Sequence, residues 1–477
     1  MKLLCRITAL IVLTSLAACE AGPDYKRPPV ETPASYKEAY GEWRQARPQD
    51  ALDRGAWWTI YKDPVLDGLE KQVDLSNQNV KAAEAAYREA EAAVEETRSG
   101  LFPTVTADST VGDMHGTMPR PMMPESLYGT ASWVPDVWGR IRRDLEGSEA
   151  GAQVSAADLA SARLSMQAAL ATDYFNLRAQ DELKRLLDTI AETDKKALQI
   201  VQSQYDTGTG AMADVLMAQT QLENVQSKAT NAGIRRAKLE HAIAVLIGKP
   251  PADLSLAAAK YIDYAPEIPV GVPSSLLERR PDIAASERMM TAANAKIGMA
   301  TAAWFPDITL SASAGYTSMA LKQLLQASNT FWVLGAGIAE TLFDAGKREA
   351  KIEEAHAGYD RSVAMYRQTV LAAFQQVEDN LAALRILADQ RKTQEAAVDH
   401  ARLAERLAFQ QYTSGTAPYN NVLTAQSTHL ENEVTLLNIR QSRLNADVAL
   451  IQALGGGWTS SQLSPESDSD EKISHNQ

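Results

Sequence analysis

Cysteine is nearly absent: the 477 residues contain two, Cys5 and Cys19. Cys5 lies in a leader that is removed, so the mature chain keeps Cys19 alone and has no partner for an internal disulfide. The six histidines are scattered, with no HExxH and no CxxC, so a zinc site has no support and no cofactor is expected. Nucleophile-elbow and metal-ligand spacings are missing too, which argues against an enzyme. No basic run interleaves with aromatics; 47 basic residues face 60 acidic ones, a net charge of −13. Removing Lys2 and Arg6 with the leader leaves 45 basic residues and a net −15. Nucleic acid is therefore excluded as a partner. Proline is missing from residues 139–205 and from residues 346–412, so two very long helices can run uninterrupted.

What is present is a repeat. Gln204 to Gln219 reads QYDTGTGAMADVLMAQ, and Gln411 to Gln426 reads QYTSGTAPYNNVLTAQ. The shared residues include Gln204/Gln411, Tyr205/Tyr412, Gly208/Gly415, Thr209/Thr416 and Gln219/Gln426. Each copy closes one apolar-periodic run, turns through Gly-Thr and opens another, the pattern of a tight helical hairpin. Leu101-Phe102-Pro103 matches Trp304-Phe305-Pro306, Trp138-Gly139-Arg140 matches Ala345-Gly346-Lys347, and Ile247-Gly248 matches Leu454-Gly455. The chain is an internal duplication.

The elements follow from period. Residues 64–100 predict one helix, with Pro near its start and Gly past its end. Val105, Ala107 and Val111 alternate with Thr104, Thr106, Asp108 and Thr110; Ile308, Leu310, Ala312, Ala314 and Tyr316 alternate with Thr309, Ser311, Ser313 and Gly315. Each such strand has a partner, residues 127–134 and 331–342, giving two β-hairpins with one apolar face each. Apolar residues in residues 139–205 and 346–412 recur in steps of seven, four and three, a coiled-coil spacing. Shorter helices return over residues 213–246 and 419–454, and another lies within residues 274–304, restarting at Pro281.

The resulting organisation is a leader (1–18), an extended segment (19–63), a first repeat (64–248), a Pro-rich connection (249–273), a second repeat (274–455) and a Ser- and acid-rich tail (456–477). Lys2 and Arg6 flank the apolar run from Ile7 to Leu16, which is a secretory signal too short to span a bilayer. Leu16-Ala17-Ala18-Cys19 resembles the bacterial lipoprotein box, so Cys19 is expected to carry lipid, and Glu20 after it favours the outer membrane. Four strands cannot close a barrel, and an open sheet would leave two bare edges; several copies could close one together. The alternative is a pair of solvent-facing hairpins packed on helices.

The lipobox, Gly22-Pro23-Asp24-Tyr25, Trp57-Trp58 with Asp63-Pro64, Asp136-Val137-Trp138-Gly139-Arg140, Arg280-Pro281-Asp282, Ile297-Gly298, Phe305-Pro306 and Gly455-Gly456-Gly457-Trp458 are similar, in order, to outer-membrane factor lipoproteins of the OprM/NodT type, related to TolC. That resemblance implies a mainly α chain with four β-strands, three copies forming a twelve-stranded outer-membrane barrel continued by a periplasmic α-helical barrel. It implies a passive efflux duct for small molecules (drugs, toxic compounds or metal ions), lipid-anchored in the outer membrane. Its partners would be a periplasmic adaptor and an inner-membrane pump of RND, ABC or MFS type. It further implies a gate at the hairpin tips, where Tyr412 and Asp214 match family positions. The family's basic position is Ala417 here, and its pore acids are Asn421 and Thr424. A gate of neutral hydrogen bonds among Tyr412, Thr413, Asn420, Asn421 and Asp214 is therefore expected. Gly208-Thr209 and Gly415-Thr416 resemble the turns against which adaptors pack.

Met114, His115, Met118, Met122 and Met123 crowd one loop and could take Cu(I) or Ag(I), but apolar packing is the favoured reading. Two other functions remain open: a type I protein-secretion channel, which shares the fold, and a structural periplasmic coiled-coil lipoprotein, which would leave the amphipathic hairpins idle.

Overall fold

The computed structural model describes residues 20–38, 56–111, 125–261, 266, 268 and 279–457. The leader, Cys19, the Met/His loop and the acidic tail lie outside the described residues. Helices α1 (Pro64–Ser76) and α2 (Gln78–Ser99) precede strands β1 (Thr104–Thr110) and β2 (Glu125–Trp133). Then come α3 (Arg140–Asp206), α4 (Met212–Leu246) and α5 (Pro281–Ala302). Strands β3 (Asp307–Ser318) and β4 (Thr330–Ala339) are followed by α6 (Lys347–Thr413) and α7 (Tyr419–Ala453). The duplication holds in the lengths: α3 and α6 have 67 residues each, and α4 and α7 have 35 each. At 1.5 Å per residue the 67-residue helices run about 100 Å. No described helix is long and apolar enough to cross a membrane.

One expectation is corrected. Residues 64–100 form two helices, because Asn77 leaves helical geometry at φ −62°, ψ 127°. Its side chain makes the break favourable: Oδ1 accepts from the backbone N–H of Asn79 (2.9 Å) and Val80 (3.1 Å), and Nδ2 donates to Leu246 O (2.7 Å). One residue thus caps the start of α2 and satisfies a carbonyl at the end of α4. Strand β1 starts at Thr104, because Leu101 and Phe102 donate their backbone N–H groups back to Arg98 and Ser99 in a turn.

The chain divides into two compact units. The first comprises Met1–Val30, Ala85–Ala156 and Ala285–Gln368 and carries the sheet. The strand order is β1-β2-β3-β4, every neighbouring pair antiparallel. Register keeps the faces in phase: Val105 opposes Ala131, Ala131 opposes Ala312, and Ala312 opposes Leu334. Because side chains alternate along a strand, this sets Val105, Ala131, Ala312 and Leu334 on one side, while Tyr128, Phe331 and Val333 fall on the other. The second unit comprises Glu31–Glu84, Ala157–Ala284 and Thr369–Gln477. Its main core packs Trp57, Trp58, Leu66, Leu170, Tyr174, Phe175, Ile243, Ile247 and Val448.

Candidate functional site

The sheet offers two chemically opposite surfaces. On the apolar side Trp332, Leu334 and Ile338 are 74%, 73% and 75% exposed. On the other side Thr106, Thr130 and Ser313 follow one another across β1, β2 and β3, with Ser311 two residues along β3 from Ser313, and the Thr130 and Ser313 hydroxyls stand 3.5 Å apart. Gly315 stands between Tyr128 and Phe331, and a Cβ there would collide with Tyr128; the two rings approach across it at 6.0 Å. An exposed patch this apolar on a strand face fits lipid on that side and water on the other. Strands β1 and β4 are the sheet's edges.

The strand–helix junctions are built twice from the same parts. Asp136 accepts from the backbone N–H of Ile141 and Arg142, both at 2.9 Å, and from Arg142 Nε at 3.2 Å. Asp344 accepts from the backbone N–H of Gly346 (3.1 Å) and Arg348 (3.2 Å) and from Arg348 Nε (2.9 Å). Each acid satisfies free N–H groups at the start of a 67-residue helix and suits its dipole. Gly139 and Gly346 follow at φ 77° and 86°, conformations that disfavour a Cβ. Trp138 stacks on Phe305 at 4.8 Å and donates Nε1–H to Pro306 O at 2.8 Å.

Residues 20–24 are strapped beside these junctions. Ala21 donates its backbone N–H to Trp138 O (3.1 Å), and Asn294 Nδ2 donates to Pro23 O (2.8 Å). The buried Arg143 guanidinium donates to Asp24 (2.9 Å) and Glu146 (2.7 Å). These contacts give physical roles to Pro23, Asp24 and Trp138.

At the hairpin tips the repeated turns are one motif made twice. Gly208 and Gly415 have φ 76° and 74°. Gly208 N–H donates to Tyr205 O and Thr209 N–H to Gln204 O, both at 2.9 Å; Gly415 to Tyr412 O and Thr416 to Gln411 O repeat these distances. The paired bonds close the last turn of each long helix. The threonine hydroxyls add a third bond to the same Gln204 and Gln411 carbonyls, each at 3.0 Å. The positive φ and the hydroxyl bond account for the recurrence of Gly and Thr, whereas Gln and Tyr supply only backbone carbonyls to this turn.

Between the two hairpins, Tyr412 Oη donates to Asp214 Oδ2 at 3.3 Å. The Tyr412 ring meets Tyr419 edge-on at 4.9 Å, in a cluster with Val201, Val215, Ala218 and Val422. Burial, and then the Asp214 charge, push the Tyr412 phenol up to about 12, so it remains a donor at any physiological pH. Asp214 lies in the first turn of α4, where the dipole also favours its charge.

The fold does not bring the remaining expected residues into that contact. Thr413 donates its hydroxyl to Gln410 O (2.9 Å), Thr424 donates to Asn420 O (3.0 Å), and Asn420, Asn421 and Thr424 are exposed. Within one chain the expected network is a single bond, because helix hydroxyls are satisfied by the preceding turn. Tyr419, the second ring of the cluster, escapes the sequence reading; its signal is the seven-residue step from Tyr412.

Comparison with known proteins agrees with this architecture. The family described as outer membrane efflux protein matches residues 69–249 and 272–456. The toluene efflux pump outer membrane protein TtgF of Pseudomonas putida is 31% identical, over 96% of this chain and 98% of that protein. The cation efflux system protein CusC of Escherichia coli is 26% identical, over 95% of this chain and 99% of that one. The solved structure of the outer-membrane channel OprN superposes with a TM-score of 0.84 at 29% identity, over 92% of this chain and 100% of that one. The chain belongs to the outer membrane efflux protein family. It is an outer-membrane exit duct, mainly α with a four-stranded antiparallel sheet per chain, and works with a periplasmic adaptor and an inner-membrane pump.

Proposed function

We propose that three copies of this efflux protein join β1 to β4 and close a twelve-stranded barrel, through which small molecules leave the cell. The observation that carries this is the four-stranded sheet with two edges and one bare apolar face. Four strands are too few to close, unpaired edges are not tolerated in lipid, and twelve strands leave an aqueous lumen. The Thr- and Ser-rich side then lines the passage. Cys19, one residue before the strapped segment, carries the lipid anchor.

The hairpin tips form the gate. The Tyr412–Asp214 contact holds the two hairpins of one chain together, and exposed Asn421 and Thr424 face the opening. The Gly208-Thr209 and Gly415-Thr416 turns receive the adaptor. Transport itself is passive, and the inner-membrane pump selects the cargo. Relatives of similar length are named for toluene and for cations, which supports cargo choice lying outside the shared duct architecture. Those names favour efflux over protein secretion.

The test is the protein mass of the detergent-extracted assembly by light scattering. Three chains are expected, together with discrete conductance in planar bilayers. A monomer without conductance would overturn the shared barrel.

A further inference from the structure

A polar layer lies between two apolar clusters of the second unit. Along α3, α4 and α7 it follows the tip cluster of Val201, Val215 and Val422 and precedes a cluster of Leu187, Val225 and Leu430. Its centre is Asp194 on α3 and Gln426 on α7, 2% and 5% exposed. Gln426 Nε2 donates to Asp194 Oδ1 at 2.9 Å. The other oxygen of each group, Asp194 Oδ2 and Gln426 Oε1, is buried with no hydrogen-bond partner. Two bare acceptors on one already bonded pair is an arrangement that a single proton completes. A proton taken from water onto Oδ2 turns that oxygen into a donor, and Oε1 is the bare acceptor on the amide to which Asp194 is already bonded.

We propose that Asp194 is a protonation site, and that its proton closes the pair with Gln426 and ties the first hairpin to the second. This rests on reading the hairpin tips as the gate. Among the described residues, the side chains that act directly on Asp194 are two amides, a phenol and a carboxylate, and the nearby cation, His429, is bonded to Glu405. Gln221 on α4 and Gln426 on α7 are amides, Tyr419 on α7 is a phenol, and Glu405 on α6 is a carboxylate. Burial, and then Glu405, push Asp194 up to about 7, with Gln221 acting in the opposite sense. Hydrogen bonds to Glu405 and Glu433 hold His429 up to about 9, so its charge stays constant while Asp194 titrates. A carboxyl raised in the folded state is tied most firmly in acid, and the tie is lost as pH rises through about 7. The gate is therefore stapled in acid surroundings and released above neutrality.

The experiment compares the full-length protein with Asp194→Asn and Gln426→Leu in planar bilayers across the neutral range. Asparagine offers an N–H where the acid would carry its proton, so it keeps both bonds at every pH. Wild type is expected to open more readily as pH rises, Asp194→Asn to stay at the acid level, and Gln426→Leu to stay at the alkaline level. An Asp194→Asn channel that keeps the wild-type pH step overturns the proposal, as does a wild type without one. Thermal unfolding in detergent reads the site independently of conduction. Wild type should lose more stability than Asp194→Asn on going from acid to alkaline buffer, and parallel losses would overturn the proposal. A wild type that forms no channels at all defeats the duct reading instead, and the unfolding comparison still decides the site.

Discussion

Gly22 and Gly298 meet backbone to backbone: a Cβ built on Gly22 collides with the Cα of Gly298. A Cβ built on Gly298 would lie 2.8 Å from Arg143 Cγ and 2.9 Å from Ala21 O. Neither glycine can therefore acquire a side chain while residues 20–24 stay strapped. Gly298→Ala should destabilise by about 1–3 kcal/mol, the usual cost of overpacking. It should also speed proteolysis near residue 24, measured by limited digestion of the extracted protein. Unchanged digestion would mean that the strap tolerates the methyl group.

Gly415→Ala places an L side chain at φ 74°. Nothing lies within 4 Å of the new Cβ, so the strain is purely conformational, about 1–2 kcal/mol. Gly415→Asn should cost less, since asparagine enters that region more readily. Thermal unfolding should therefore rank wild type above Gly415→Asn above Gly415→Ala.

Tyr412→Phe removes the donor to Asp214 but keeps the ring against Tyr419. A stability loss of about 1 kcal/mol is expected, with more frequent opening in single-channel recordings. Asn421→Asp should raise cation selectivity without altering stability, and an unchanged reversal potential would remove Asn421 from the pore.

The two faces of the sheet should respond differently to charge. Trp332→Arg, on the bare apolar side, should cost about 2–4 kcal/mol and impair membrane insertion. Thr309→Asp, on the polar side opposite Gly337, should insert normally and shift ion selectivity. Equal effects on insertion would contradict the assignment of lipid and lumen.

Glu70 is wholly buried, and neither carboxyl oxygen has a partner. It shares its helix face with Leu66, Leu69 and Val73, an apolar stripe at helical spacing. Burial, and then Asp74 and Asp67, push it up to about 9. The folded state holds the neutral form, so the stability present in acid is lost progressively as pH climbs from the ordinary carboxylate range to about 9. Glu70→Gln should flatten that decline, and Glu70→Leu should raise stability by about 1–3 kcal/mol. Both are read by thermal unfolding against pH.

Much of this protein was legible in the sequence because the deciding signals are local. Alternation of Ile308, Leu310 and Ala312 with Thr309 and Ser311 fixes a two-faced strand whatever it pairs with. Proline-free stretches of coiled-coil period fix long helices, and Gly-Thr after Gln-Tyr fixes where they turn. The duplication made each reading twice. Tertiary structure alone decided the break at Asn77, whose cap depends on a carbonyl at Leu246, 169 positions away. It alone joined Asp194 to Gln426 across 232 positions and set Gly22 against Gly298. Within one chain it also joined Tyr412 to Asp214 across 198 positions. Period and backbone angle are properties of neighbouring residues, so a sequence displays them. A buried polar contact is chosen by which distant groups desolvation forces together, and only the packed chain specifies that.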